Sequence, residues 1–167
     1  MQAGSTEQAL AAFDGLAPVD TAAILGAWKG ETWPTGHPLD GALEAFGWQG
    51  KRFDSEEEAH PLVFRRGAST FHVHPALVAP GLPLLLRWPW MKKDPAAAMV
   101  RTLLPLLATR RSRARLRMLR CRGVPSAALV YDDVAIIDVF RQRDDGALLG
   151  LMDSKGMERP FFFLLRR

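Results

Sequence analysis

Over its last third the chain alternates apolar and polar residues at period two, the spacing that puts successive side chains on opposite faces of a strand. "RARLRMLRCRG", "PSAALVYDD", "VAIIDVFRQRDDG", "ALLGLMDSKG" and "PFFFLLRR" read as consecutive strands from Arg113 to the C-terminus. "YDDV" and "RDDG" carry turn chemistry, and no helical segment separates the strands to make parallel crossovers. The pattern predicts an antiparallel up-and-down meander. One strand breaks its own rule: Arg113, Arg115 and Arg117 oppose Ala114, Leu116 and Met118, yet Leu119 and Cys121 are apolar where arginine should recur. A slip of one residue exchanges faces, so a β-bulge is expected near Met118–Leu119.

Earlier strands are expected at Ala27–Trp33, Gly50–Phe53, Pro61–Arg66 and Ser69–His74. The last strand, "PFFFLLRR", is too apolar to be an exposed edge, and closing it onto the first removes the edge. The predicted fold class is therefore mainly β: an antiparallel up-and-down β-barrel of about eight to ten strands, with room inside for one small ligand.

Helical spacing is confined to short pieces. "STEQALAAFDG" has capping-box residues Ser5 and Gln8, a stripe of Leu10 and Phe13, and a terminal Gly15. "DTAAILG" reads as a helical turn with Asp20 as N-cap and Gly26 as left-handed exit. "LDGALEAFG" sets Leu39, Leu43 and Phe46 on one stripe, which predicts a helix of two or three turns. Residues 75–109 behave differently. Prolines break up the apolar "LVAPGLPLLLRWPWM", and Asp94–Pro95 starts a helix running through "PAAAMVRTLL" to Pro105. Such a connection is expected to be either a functional flap or a packed arm. The whole chain, 1–167, is expected to form a single domain, with 24–74 and 110–167 as its two β portions.

Composition narrows the classes. The chain is 48% apolar and 24% charged, with no run of the ~18 apolar residues a membrane span needs. Its start lacks the basic and apolar regions of a secretory signal, so a cytoplasmic location is expected. Cys121 stands alone, which excludes an internal disulfide and a four-cysteine zinc site. Net charge is +4 but uneven, and seven arginines crowd between Arg110 and Arg122. They suit either an anionic partner, nucleic acid or membrane surface, or a solvated strand face. The second is favoured because no stacking aromatics are interleaved with them.

Asp138 shares a face with Val134, Ile136 and Phe140, so its carboxylate is expected inside, where it must find a cation, a donor or a proton. Lys51, Arg52, Arg141 or an arginine of the preceding strands could serve, and Tyr131, the only tyrosine, could hydrogen-bond to either partner. His37 lies in a rigid turn between Gly36 and Pro38, suited to acid–base work at a barrel mouth. His72 and His74 face one way and could chelate a metal, but no third ligand is evident, so no metal is expected.

Gly26, Trp28 and Gly30 in "GAWKGETWPTGHPLDGALEAFGWQGKRF" resemble the GXWXG domain family. "ARLRMLRCRGVPSAALVYDDVAIIDVFRQ" and "LLGLMDSKGMERPFFFLLRR" resemble the domain of unknown function 4334. The resemblance implies no activity. A Gly-x-Trp first strand is also similar to calycins, the lipocalin, fatty-acid-binding and nitrobindin barrels. That likeness implies that Trp28 plugs a closed end, with Arg166 packed over its ring. It also brings haem into view as a lesser alternative to no cofactor, since the late strands contain no histidine.

The leading functional expectation is binding of a small hydrophobic molecule, neutral or acidic, such as a lipid or a polyketide- or terpenoid-like metabolite. Trp33, His37, Trp48, Lys51, Tyr131, Asp138 and Phe140 are the candidate contacts. The alternative is an isomerase or cyclase in the same pocket, with Asp138, His37 and Tyr131 as its catalytic groups. A further alternative is anion binding along the Arg110–Arg122 strand.

Overall fold

The computed structural model describes residues 4–167. Helix α1, Thr6–Asp14, begins on the Ser5/Gln8 capping box that the sequence signals, with Ser5 accepting from the Gln8 amide and Gln8 reaching back to the Ser5 amide. After β1, Ala17–Pro18, a 3-10 turn at Ala22–Ile24 leads through Gly26, at φ +113°, into β2, Gly26–Thr32. Helix α2 covers only Ala42–Ala45, a single turn where two or three were expected. Gly41, at φ +75°, interrupts the helix, and the Asp40 carboxylate holds the preceding turn through the amides of Thr35 and His37. Strands β3, Trp48–Phe53, β4, Ala59–Arg66, and β5, Ser69–Val73, follow. An arm then carries α3, Pro75–Val78, α4, Leu82–Arg87, and α5, Ala96–Leu103, before the short β6, Ala108–Thr109. The meander consists of β7, Ala114–Cys121, β8, Val124–Tyr131, β9, Ile136–Gln142, β10, Leu148–Ser154, and β11, Phe161–Arg166.

Eight strands close into an antiparallel barrel in the order β2, β3, β4, β7, β8, β9, β10, β11 and back to β2. The last strand meets the first, with Phe163 opposite Thr32 and Leu165 opposite Gly30. The seam between β4 and β7 is narrow, a single pair at Ala59 and Ala114. Beyond it β4 diverges to pair with β5, which in turn pairs with β6.

Alternation sorts the meander into two cores. Leu129, Tyr131, Phe140, Leu148, Phe161, Phe163 and Leu165 point into the barrel. Ala128, Val139, Leu149, Leu151, Phe162 and Leu164 point outward and are covered by Ala9 and Phe13 of α1. This second core accounts for the irregular arginine strand. β7 pairs with β8 without any register shift from Ala114 to Cys121, so the bulge expected at Met118–Leu119 is absent. Leu119 and Cys121 do face outward, as the arginines do, but pack against the outer cluster instead of meeting water. Polarity changes along that face while direction does not.

The irregularity lies in β3 instead, where the register against β4 shifts on both sides of Gly50. A bulge re-aims the side chains that follow it. Trp48 and Lys51, three residues apart, are thereby both buried, and so is Phe53.

One end of the barrel is sealed. Trp28 donates from its indole nitrogen to the Ile24 carbonyl at 2.7 Å, tying strand β2 to the 3-10 turn. The guanidinium over its ring belongs to Arg167, at 4.6 Å, whose Nη2 also donates to the carbonyls of Ala23 and Leu25. Arg166 was expected there. It faces outward instead and pairs with Glu31 and Asp145, because Phe161, Phe163 and Leu165 fix the odd positions of β11 inside. The glycine at position 30 serves a different ring from Trp28: a Cβ there would fall 2.1 Å from the Trp48 indole.

Candidate functional site

The other end of the barrel opens under the arm, and between them lies a cavity of about 360 Å³. Leu62, Phe64, Tyr131, Ile136, Met152 and Phe161 form its floor at the barrel mouth. Leu82, Leu85, Val100 and Leu104 of the arm form the roof, and Leu39, Leu43 and Phe46 close one side. Every lining side chain except Tyr131 is free of nitrogen and oxygen. The arm is held in place by side chains reaching backbone: Lys92 Nζ donates to the carbonyls of Pro38 and Asp40, both at 2.8 Å, and Arg101 to that of Ala45 at 2.6 Å. Ala97 and Leu104 are buried beneath it.

Behind Tyr131 lies a buried polar trio. Lys51 Nζ is 2.8 Å from Asp138 Oδ2, and donates to the Tyr131 hydroxyl at 3.1 Å and the Pro61 carbonyl at 3.3 Å. The Tyr131 hydroxyl donates to the same Asp138 oxygen at 3.0 Å. Lys51 is 4% exposed and Asp138 fully buried. The ammonium also lies 4.9 Å from the ring centroid of Phe163 and 5.7 Å from that of Trp48. Each of its three hydrogens thus has an acceptor and its charge two aromatic rings beside it, the degree of satisfaction a buried cation requires. Burial, followed by the neighbouring Asp138 charge and hydrogen bond, pushes the Tyr131 phenol well above its ordinary range. Around this trio, Asp138 Oδ1 and Trp48 Nε1 have no hydrogen-bond partner among the described residues.

Of the residues singled out from the sequence, Trp48, Lys51, Tyr131 and Asp138 come together here. Phe140 joins the inward face but sits deeper, edge-on to Phe53 and Phe163, and does not line the cavity. His37 is buried behind the wall: its Nδ1 accepts from the Leu39 amide at 3.1 Å and its ring lies 5.6 Å from that of Phe161. Trp33 is on the outer surface, with Arg143 over its ring at 5.2 Å. It left the mouth because β2 ends at Thr32 and the Trp33 amide bonds to the Phe162 carbonyl, on the outward parity of β11. The alternative partners of Asp138 lie elsewhere. Arg52 pairs with Asp54, and Arg141 lies under α1 against Phe13, donating to the carbonyls of Cys121 and Val124. The sequence marks the 75–109 segment as a flap or packed arm but does not single out its roof residues, because the prolines erase the periodicity that would have marked a buried face.

The arginines in and beside β7 are on the outside, and four of them are neutralised: Arg113 by Asp133, Arg115 by Asp132, Arg117 by Glu57, and Arg122 by Asp14. No group of three potential metal ligands occurs among the described residues. His72 stacks on His60 with ring centroids 3.7 Å apart, while His74 approaches Asp133. No histidine lines the cavity, so its donor set does not fit a haem needing an axial nitrogen.

Burial is the main cause holding the imidazoles of His37, His60 and His72 below the ordinary value of 6.5, and for His72 the charge of His60 adds to it. Each is therefore favoured neutral in the folded state and takes up a proton more readily when unfolded. Their contribution to stability is full above about pH 6.5 and is lost as pH falls below it. The urea midpoint should fall between about pH 7 and pH 5, and His60→Gln should flatten that fall. A midpoint independent of pH across this range would contradict it.

An eight-stranded antiparallel barrel with a tryptophan–arginine seal at one end and an apolar cavity at the other defines a calycin-like fold. Residues 11–68 match the family model described as GXWXG protein, and residues 112–167 match that described as Domain of unknown function (DUF4334). Together the two matched segments take in all eight barrel strands, β2 to β4 in the first and β7 to β11 in the second. It is similar to a protein from Thermomonospora curvata solved by crystallography, at 28% identity and a TM-score of 0.72 over 99% of this chain and 88% of that one. No curated protein matches it.

Proposed function

We propose that the protein is a cytoplasmic binder of a neutral, apolar small molecule held between the barrel mouth and the arm. One observation carries this reading: a cavity of about 360 Å³ in which Tyr131 is the only lining side chain with a polar atom. At about 30 Å³ per methylene-sized group the space suits a hydrocarbon skeleton on the order of a dozen carbons, the scale of a small terpenoid or a medium acyl chain. An acidic ligand is disfavoured, because Lys51 is already paired with Asp138, Lys92 and Arg101 are committed to backbone carbonyls, and the arginines in and beside β7 pair with acids outside the barrel. The Tyr131 hydroxyl is engaged by both members of that pair, so it offers a ligand little beyond one lone pair.

The test is titration with N-phenylnaphthylamine, a neutral apolar dye, with displacement by unlabelled hydrocarbons and alcohols. Saturable binding is expected, and Ala42→Phe, which adds a ring to the cavity wall, should weaken it by about tenfold or more. Non-saturable binding, or binding unaffected by Ala42→Phe in a folded variant, would remove the cavity from the account.

The unpartnered Asp138 Oδ1 favours a second reading, an isomerase or cyclase in which the trio handles a proton. Under it, Tyr131→Phe should abolish turnover of a bound substrate and leave dye binding intact. As a plain binder, the same variant loses only affinity for ligands bearing a hydroxyl.

A further inference from the structure

The arm that roofs the cavity also exposes large apolar side chains to solvent. Trp88, Trp90, Leu84, Met99, Leu103 and Leu106 are exposed, Trp90 at 61% and Leu106 at 78%. These large apolar groups fall within one stretch of about two dozen residues. The charge along the arm is one-sided. Between residues 75 and 111 the only acid is Asp94, bonded to Arg101 at 2.9 Å, against the bases Arg87, Lys92, Lys93, Arg101, Arg110 and Arg111. Lys92 and Arg101 are used to fasten the arm, which leaves Arg87, Lys93, Arg110 and Arg111 exposed with no acidic partner among the described residues.

We propose that the outer face of the 75–111 arm docks on an anionic phospholipid surface. Tryptophan is suited to the headgroup boundary, where its ring is buried and its N–H stays wet, and leucine and methionine reach below it. The four free bases meet the negative surface potential of such a leaflet. A second copy of the chain fits less well, because two faces each carrying this excess of positive charge would repel. No helix among the described residues is long and apolar enough to cross a membrane, and the arm's short helices interrupted by prolines suit lying along one. Leu77 and Leu103 join this face to the cavity: both line it, and they are 55% and 49% exposed. An apolar ligand could therefore pass between bilayer and cavity without crossing water. That last step rests on the proposed function, whereas docking does not.

The experiment is co-sedimentation of the full chain, without ligand, with vesicles of phosphatidylcholine alone and with vesicles of equal parts phosphatidylcholine and phosphatidylglycerol. Binding is expected to the mixed vesicles only, and to weaken as salt is raised. Trp88→Ser combined with Trp90→Ser should weaken it by about tenfold or more with unchanged circular dichroism. Replacing Arg87, Lys93, Arg110 and Arg111 together by Gln should do the same by a separate route. Three results would overturn the proposal: equal binding to both vesicles, binding indifferent to the tryptophan variant, or no vesicle binding alongside a dimer that this variant dissociates. Dye binding in the cavity, measured on the same samples, separates failure of docking from failure of the ligand reading.

Discussion

Asp138→Leu should lower folding stability by about 3–5 kcal/mol, because it strands the Lys51 ammonium in the barrel with only a phenol, a carbonyl and the neighbouring aromatic rings around it. The Coulombic worth of the intact pair is not what is lost. Desolvating both charges offsets most of that attraction, and the loss comes from leaving one charge buried alone. Replacing both partners, Lys51→Met with Asp138→Leu, should therefore recover most of the stability that the single change removes. Urea unfolding of the wild type, the two single variants and the double variant measures all four corners of this cycle. A single variant within about 1 kcal/mol of wild type would mean that Lys51 finds water or another partner.

The second large effect concerns the position that turns Lys51 inward. Gly50 lies at φ +138°, and a Cβ there would stand 1.9 Å from the Trp28 carbonyl oxygen and 2.7 Å from the Gly30 nitrogen. Both obstacles are backbone of the neighbouring strand, so no side-chain rotation relieves them. Gly50→Ala should break the β2–β3 pairing and prevent folded protein from accumulating. Gly123→Ala is the control: its φ of +84° is also positive, but nothing lies within 4 Å of the added carbon. It should cost only about 1–2 kcal/mol. Soluble yield and thermal melting of the two variants compare them directly, and similar behaviour would refute the steric account of the bulge.

The barrel was legible because its strands obey period two and its turns carry Gly and Asp where hairpins need them. Closure followed from "PFFFLLRR", whose two apolar faces are now accounted for by the barrel interior on one side and α1 on the other. The same double covering misplaced the bulge. An apolar residue on an outward face reads as a change of direction unless the helix that covers it is known, and α1 lies about a hundred residues away in sequence. The true bulge left no such mark, since Trp48 and Lys51 at a spacing of three break the strand period and a lysine does not read as an inward-facing residue. Arg166 was placed over Trp28 by analogy with other barrels; counting alternate positions from Phe161 would have reached Arg167. Asp138 was recognisable as a buried carboxylate because Ile136 and Phe140 flank it, and Lys51 was among its possible partners, but choosing Lys51 over Arg141 required three-dimensional placement. The cavity was the least legible part, being the space between a regular barrel and an arm whose prolines leave no period to read.

The most direct test of the central claim is native mass spectrometry of protein purified without detergent, followed by solvent extraction and identification of whatever it carries. A stoichiometric, uncharged, largely hydrocarbon molecule that is lost in Ala42→Phe is the expected result. Protein that is empty on isolation, and whose melting temperature ignores a panel of such compounds, would contradict it.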